Sequence, residues 1–228
     1  MTPELFCEQY PYLFHMAEAD TWESIKRYGL LSTRAILDLL KIEGKKRQDI
    51  EASYRKDYVL IEDKQHGKFL IRDNAPLHLN KLKACLIDMT PEQFYRELNK
   101  KVFFWATEQR VKGLLGARRY RNRKHTVIKV SSQLLLKNYQ KKMYLSRINS
   151  GSAVYQPTPR GKNTFVPFSQ WPEDVGPRSG KLKVPVAEIA VKYSVEKITK
   201  VAVEVNEMKG KNLLKRVWNN KGFNRNGA

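Results

Sequence analysis

Near its start the chain carries Tyr12-Leu13-Phe14-His15-Met16-Ala17-Glu18, a short apolar run holding one histidine, which reads as a strand. The period then changes. Trp22, Ile25 and Tyr28 recur at helical spacing, Asp20 stands where it can cap the helix, and Glu23 follows three residues on. Gly29 can take the left-handed conformation that stops a helix. Ser32 or Thr33 can cap the next one, with Ile36, Leu39 and Leu40 facing inward. Residues 42–57 are charged and read as an exposed helix or an excursion. Short strands are expected at Tyr58–Ile61 and Lys68–Ile71, and a short helix through Leu79, Leu82 and Leu86. Thr90-Pro91-Glu92-Gln93 is a helix start, leading through Phe94, Tyr95 and Leu98 to Asn99. Val102-Phe103-Phe104-Trp105 is apolar on both faces, as a buried central strand would be. Thr107 then caps a helix that turns Val111, Leu114 and Leu115 to the core and closes in the basic run Arg118–Lys124.

Beyond that point strand periods dominate: Thr126–Val130, Met143–Ser146, Thr164–Phe168, Val184–Lys192 and Lys200–Val205, with a helix near Lys209–Trp218. Helices concentrated in the first half and strands in the second predict an α+β fold, as one domain over residues 1–228. Gly151, Pro157, Pro159 and Gly161 mark a loop, and 172–183 is rich in proline and glycine. The span 147–183 therefore reads as long loops around a short strand, and long loops in compact domains are commonly functional or disordered.

Composition sharpens this picture in two ways. With 228 residues, 41% hydrophobic and 11% aromatic, the chain can bury a substantial core. No apolar run approaches the ~20 residues of a bilayer span. The N-terminal residues lack a signal-peptide pattern, which predicts no membrane and a cytoplasmic location. Cys7 and Cys85 have no metal-ligand spacing and are expected as reduced thiols. The charge is the stronger bulk fact. The net is +20, and it is uneven: 109–187 holds seventeen Lys/Arg against Glu173 and Asp174, whereas 1–40 is net acidic. A clustered field of one sign attracts a polyanion, so nucleic acid is the expected partner.

Candidate chemistry rests on a few polar residues in apolar surroundings. In Val184–Lys192, strand alternation puts Ala187, Ile189 and Val191 on one face and Glu188, Ala190 and Lys192 on the other. An acid amid an apolar strand costs free energy unless it has a partner or a task. The plain alternative is an edge strand with Glu188 in solvent beside Lys192. Arg72 ends the apolar run Leu70-Ile71 and precedes Asp73. Its guanidinium suits a pyrophosphate, and equally a structural contact with a carboxylate. His15 and Trp105, taken singly, are as readily core residues. There is no Gly-x-Gly-x-x-Gly or Walker loop, and His15, His66, His78 and His125 are scattered, so no metal site is expected. The acids do not cluster as a two-metal nuclease requires.

Taken in order, these segments resemble the ADP-ribosyltransferase fold shared by poly-ADP-ribose polymerases and DarT-like toxins. The resemblance is carried by Phe14-His15 through the helix to Gly29-Leu30-Leu31-Ser32, by Ile71-Arg72, by Val102–Trp105 running through Arg110 to Leu115, and by Glu188-Ile189-Ala190-Val191 with its closing strand Lys200–Val205. The stretch Arg160-Gly161-Lys162-Asn163-Thr164-Phe165 also looks like an uncharacterised bacterial family of this fold. Two departures stand out. Where the DarT-like pattern has His-x-Thr, this chain has His15-Met16-Ala17, and where the polymerases have a tyrosine or serine after the aromatic strand it offers Thr107.

The resemblance implies a split β-sheet core and NAD as co-substrate, with no metal. Cleavage of NAD passes through a sugar cation, which a carboxylate beside the ribose can stabilise. By resemblance Glu188 would take that role and Arg72 would hold the pyrophosphate and position the acceptor. His15 would hydrogen-bond the adenosine ribose, with Ser32 nearby, and Trp105 and Arg110 would line the nicotinamide end. Arg118, Arg119, Arg121, Arg123, Lys124 and Arg147, with Tyr120, Tyr139, Tyr144 and Tyr155 among them, would meet the acceptor: a base of RNA or single-stranded DNA. Enzymes of this type are commonly toxins of toxin–antitoxin or phage-defence systems, which implies an antitoxin partner. Competing readings are an NAD-dependent RNA 2′-phosphotransferase, a non-enzymatic RNA-binding module, and a transferase acting on protein.

Overall fold

A computed structural model describes residues 1–154, 158–172 and 185–223. The first half alternates short helices and strands: α1 Pro3–Gln9, β1 Tyr12–Glu18, α2 Trp22–Tyr28, β2 Leu30–Leu31, α3 Thr33–Leu39 and α4 Gly44–Glu51, then β3 Val59–Asp63 and β4 Gly67–Ile71. There follow α5 Leu79–Lys83, α6 Pro91–Asn99, β5 Lys101–Trp105 and α7 Glu108–Leu115. The second half is richer in strands: β6 Lys124–Ser131, α8 Ser132–Tyr139, β7 Met143–Ser146, β8 Val166–Pro167, β9 Glu188–Lys192, β10 Ser194–Val195, β11 Ala202–Lys209 and β12 Asn212–Asn219. The class is α+β.

Eight strands form one sheet in the order β12-β11-β6-β1-β5-β9-β7-β8, with every pairing antiparallel. One face carries the main core. Leu13, Phe104, Ile128, Val130, Leu145, Ile189 and Val191 meet Phe6 of α1, Trp22 of α2 and Leu135 and Leu136 of α8. The other face is covered by two separate patches. Leu77, Leu82, Phe94, Tyr95 and Leu98 pack on Phe103, Tyr144 and Ala190. Val111, Leu115 and Tyr120 pack on Phe14, Met16 and Val127. The β3–β4 hairpin lies outside the large sheet, and its Ile61 and Ile71 pack with Leu37 and Ile50.

Several local rules act as expected. Thr90 and Gln93 form a reciprocal capping box at the start of α6, and Thr107 accepts from the Arg110 N–H to cap α7. Gly29 ends α2 at φ +83°, so close to Val195 and Glu196 that a Cβ there would lie 2.7 Å from their backbone. Of the two candidate caps, Ser32 is the one used for α3.

Other expectations change. Asp20 does not cap α2; it turns at φ +62°, and Thr21 holds the cap position with its hydroxyl donating to the Glu18 carbonyl. In α3 it is Leu37 that is fully buried, with Ile36, Leu39 and Leu40 only partly so. Residues 42–57 are no free excursion: α4 buries Ile50 and Glu51. The strand expected at Thr164–Phe168 shrinks to Val166–Pro167, since proline offers no N–H to extend the ladder. The helix expected near Lys209–Trp218 is a strand. Gly210, at φ +54°, reverses the chain, and Asn212–Asn219 pairs back along β11. Helices α1 and α8 were not expected. Val184, Tyr155, Glu173 and Asp174, and with them most of the 172–183 loop, lie outside the described residues.

Candidate functional site

Between the two patches on the second sheet face lies a cleft of about 960 Å³. His15, Ser32, Arg72, Trp105, Arg110, Arg119 and Glu188 all line it, although they come from segments scattered through the chain. Its location follows from how β1 meets β5. Their pairing is confined to Phe14 opposite Trp105, whereas β1 pairs with β6 along its whole length. Beyond that single position the two strands part, and the His15 ring takes the place of a ladder bond. Its Nδ1 donates to the Phe103 carbonyl at 2.8 Å. A carbonyl only accepts, so the proton sits on Nδ1 and Nε2 is left as an acceptor. Burial, with Arg72 nearby, pushes the His15 pKa down to about 4, so the ring is neutral at pH 7.

Arg72 leaves the end of β4 toward the same opening. One terminal nitrogen donates to the Met16 carbonyl at 3.4 Å, and the guanidinium lies over the Tyr120 ring at 5.0 Å. Its Nε is buried and meets no acceptor among the described residues. A buried donor without a partner is uncommon and marks a place where a ligand can supply the missing acceptor. The neighbouring carboxylate does not supply it. Asp73 instead pairs with Arg119 at 3.3 Å and accepts from the Tyr120 hydroxyl. Arg55 braces the strand end, donating to the Arg72 carbonyl at 3.2 Å and to Asn99 at 3.1 Å.

Glu188 is the first residue of β9, an internal strand flanked by β5 and β7, with Trp105 on one side and Ser146 on the other. The edge-strand alternative is therefore excluded, and the side chain is only 4% exposed. Burial pushes its pKa up to about 7, partly opposed by Ser150, Arg160 and Arg110. One carboxylate oxygen accepts both the Ser150 hydroxyl and the Ser150 N–H, the latter at 3.2 Å. The Ser150 carbonyl is held in turn by buried Arg160 at 3.0 Å. Ser150 and Arg160 were not among the expected site residues. They sit in a loop without period, and the one signal in the sequence is Arg160's place at the head of Arg160-Gly161-Lys162-Asn163-Thr164-Phe165.

The remaining candidates divide. Ser32 is buried and its hydroxyl accepts from the Ala35 N–H at 3.2 Å, so its helix-capping role is plain even though it lines the cleft. Trp105 is partly buried beside Phe14, and Arg110 is exposed at the start of α7. Arg119 reaches from the cleft wall to Asp57 at 3.1 Å. Arg123 pairs with Glu18 at 2.8 Å and lies over Tyr58, and Lys124 pairs with Glu207 at 3.0 Å. Arg118 and Arg121 are exposed on the turn between α7 and β6. Arg147 lies elsewhere, over the Trp171 ring. Of the interleaved tyrosines, Tyr120 is buried under Arg72, Tyr144 lies under Lys101, and the Tyr139 hydroxyl accepts from the Lys197 N–H. None of these three presents a free surface ring. Among the described residues, no group of His, Cys, Asp or Glu is arranged to hold a metal ion, and no helix is long and apolar enough to cross a membrane. Both cysteines are free.

Residues 11–202 match DUF7002, a family of unknown function. The chain belongs to this family. The DUF7002 match spans His15 to Glu188, and so takes in every residue expected to form the cleft; it ends at the first residue of β11, leaving β12 beyond it. No curated protein matches the sequence.

Proposed function

We propose that this protein is an NAD-dependent ADP-ribosyltransferase that modifies a base of RNA or single-stranded DNA. The observation that carries the reading is convergence. Residues singled out by resemblance at positions 15, 32, 72, 105, 110 and 188 line one cleft, at the point where two strands of the sheet separate. That opening supports the split-sheet core that the resemblance implies.

The residues fit the co-substrate chemically. The unpartnered Arg72 Nε suits a phosphate oxygen of the pyrophosphate. Neutral His15 offers Nε2 to a ribose hydroxyl. Trp105 gives an aromatic wall at the end where Glu188 stands, directly across the strand pair. Bound NAD would supply an ADP-ribosyl group attached to a good leaving group, nicotinamide. Glu188 then accepts a hydrogen bond or a proton and offers negative charge to the sugar, provided it is ionised. Ser150 and Arg160 fix the position of that carboxylate. The basic surface supports a nucleic-acid acceptor. A toxin role, with an antitoxin as partner, is part of the same reading and rests on the resemblance.

The test is to incubate the protein with NAD labelled on its adenylate phosphate and with separate pools of RNA, single-stranded DNA and protein. Label on a nucleic-acid pool is the expected result. Label on protein alone would favour the protein-directed transferase. No label, together with tight salt-sensitive RNA binding, would favour a binding module.

A further inference from the structure

At one side of the cleft mouth the chain leaves α7 through Ala117, Arg119 and Tyr120, all of which line the cleft, and then enters β6. The β11–β12 turn packs against this segment although it is remote in sequence. A Cβ on Gly210 would lie 2.9 Å from the Arg121 carbonyl, and one on Gly116 would lie 2.8 Å from the stem of Lys211. The two loops thus merge into one surface bearing Arg118, Arg121, Lys124, Lys209, Lys211 and Lys215.

This surface is crowded with one sign of charge. Lys124 stands directly opposite Lys209 in the β6–β11 register, and like charges so placed repel. Glu207 offsets part of the cluster, bridging Lys124 at 3.0 Å and Lys215 at 3.5 Å. Among the described residues, Arg118, Arg121, Lys209 and Lys211 have no ion-pair partner. Beyond the turn, β12 is the edge strand of the sheet and is exposed almost throughout. There Leu213, at 56% exposure, and Leu214 lie between Lys211 and Lys215, and Val217 follows Arg216. Edge lysines alone would serve to prevent strand-to-strand aggregation, but Arg118 and Arg121 are not on the edge. Cations along a ridge with apolar side chains between them match an unpaired strand, whose phosphates seek charge and whose bases seek apolar surface.

We infer that the α7–β6 turn and the β11–β12 hairpin form a track for the phosphate backbone of a single-stranded nucleic acid, leading it to the mouth of the cleft. This rests on the reading that the acceptor is a nucleic acid. The strand is single because a base stacked in a duplex cannot enter the cleft.

The experiment measures anisotropy of fluorescein-labelled single-stranded DNA and RNA oligonucleotides across a salt series, without NAD. It compares the natural protein with Lys209→Ala/Lys211→Ala, Arg118→Ala/Arg121→Ala and a control pair on α4, Lys45→Ala/Lys46→Ala. Each track pair should reduce the slope of log K against log salt by about 1.4, at about 0.7 per lost phosphate contact on a single strand. The control pair should leave the slope unchanged. Wild-type slopes in both track variants, or an equal loss in the control, would overturn the track while leaving nucleic acid as acceptor. Tighter binding to a duplex of the same sequence would also overturn it. Displacement of the oligonucleotide by polyglutamate at matched charge would point instead to an acidic protein on this face. No binding by the natural protein would overturn the acceptor reading itself.

Discussion

Glu188 is held in a place that favours its neutral form. Its folded pKa, about 7, lies above the ordinary carboxylate value of 4.5, so burial contributes relative stability that is fully present below pH 4.5 and is lost as pH rises through 7. Glu188→Gln should therefore gain stability over the natural protein as pH rises from 4 to 8, by up to about 3 kcal/mol, read from denaturant midpoints. A constant difference across that range would show that Glu188 ionises as an exposed acid does. The same shift predicts that transfer activity climbs through a limb near pH 7 as the carboxylate forms. Ser150 hydrogen bonds stabilise the ionised form, so Ser150→Ala should move that limb to higher pH, and Ser150→Thr should restore it. A fall in rate with the limb unmoved would make Ser150 merely structural. At this scale the sequence was legible where a polar residue sits within or at the end of an apolar run, as His15 does inside β1, Arg72 just past β4 and Glu188 at the start of β9. It was not legible where a loop closes on the site, as at Ser150 and Arg160, because a loop has no period to read.

Among the elements, α4 shows how a highly charged segment can be held in place. Its Glu51 is fully buried and faces Arg34 of α3 at 3.3 Å, Arg47 of its own helix at 3.0 Å and Arg96 of α6 at 3.5 Å. The Glu51 carbonyl accepts from Asn99, which also holds Arg55 behind the Arg72 strand end. Glu51→Ala should cost about 1–3 kcal/mol in a thermal or denaturant melt, the range for orphaning buried polar partners. A melt within a few tenths of the natural protein would mean that these arginines are satisfied by water. The density of charge in 42–57 hid this docking, since Ile42, Ile50, Ala52 and Tyr54 are its apolar residues and they form no clear stripe. The closing hairpin is ambiguous in sequence for a related reason. Leu213, Leu214 and Val217 fit a helical period as well as a strand, and Gly210 decides between them by turning the chain. In contrast, α6 and α7 were readable from their capping residues alone.

For the molecule as a whole, the α+β class was readable from the order of periods, and the uneven charge was readable by counting. The cleft was not. It depends on β1 and β5 touching at a single register position, and on two separate apolar patches covering the same sheet face. If NAD fills this cleft, it binds the folded chain alone. At a hundredfold excess over Kd it should then stabilise the protein by about 2.7 kcal/mol, visible as a rise in melting temperature. Arg72→Ala should abolish most of that rise; an equal rise in the variant would locate NAD elsewhere. The most direct measurement of the central claim is the rate of label transfer from NAD to nucleic acid by the natural protein and by Glu188→Gln, at pH 8 and with NAD saturating. Glu188→Gln should lose about 10²–10³-fold in rate with little change in NAD affinity, as expected for a group that acts on developing charge. Transfer by Glu188→Gln at the natural rate would contradict that claim.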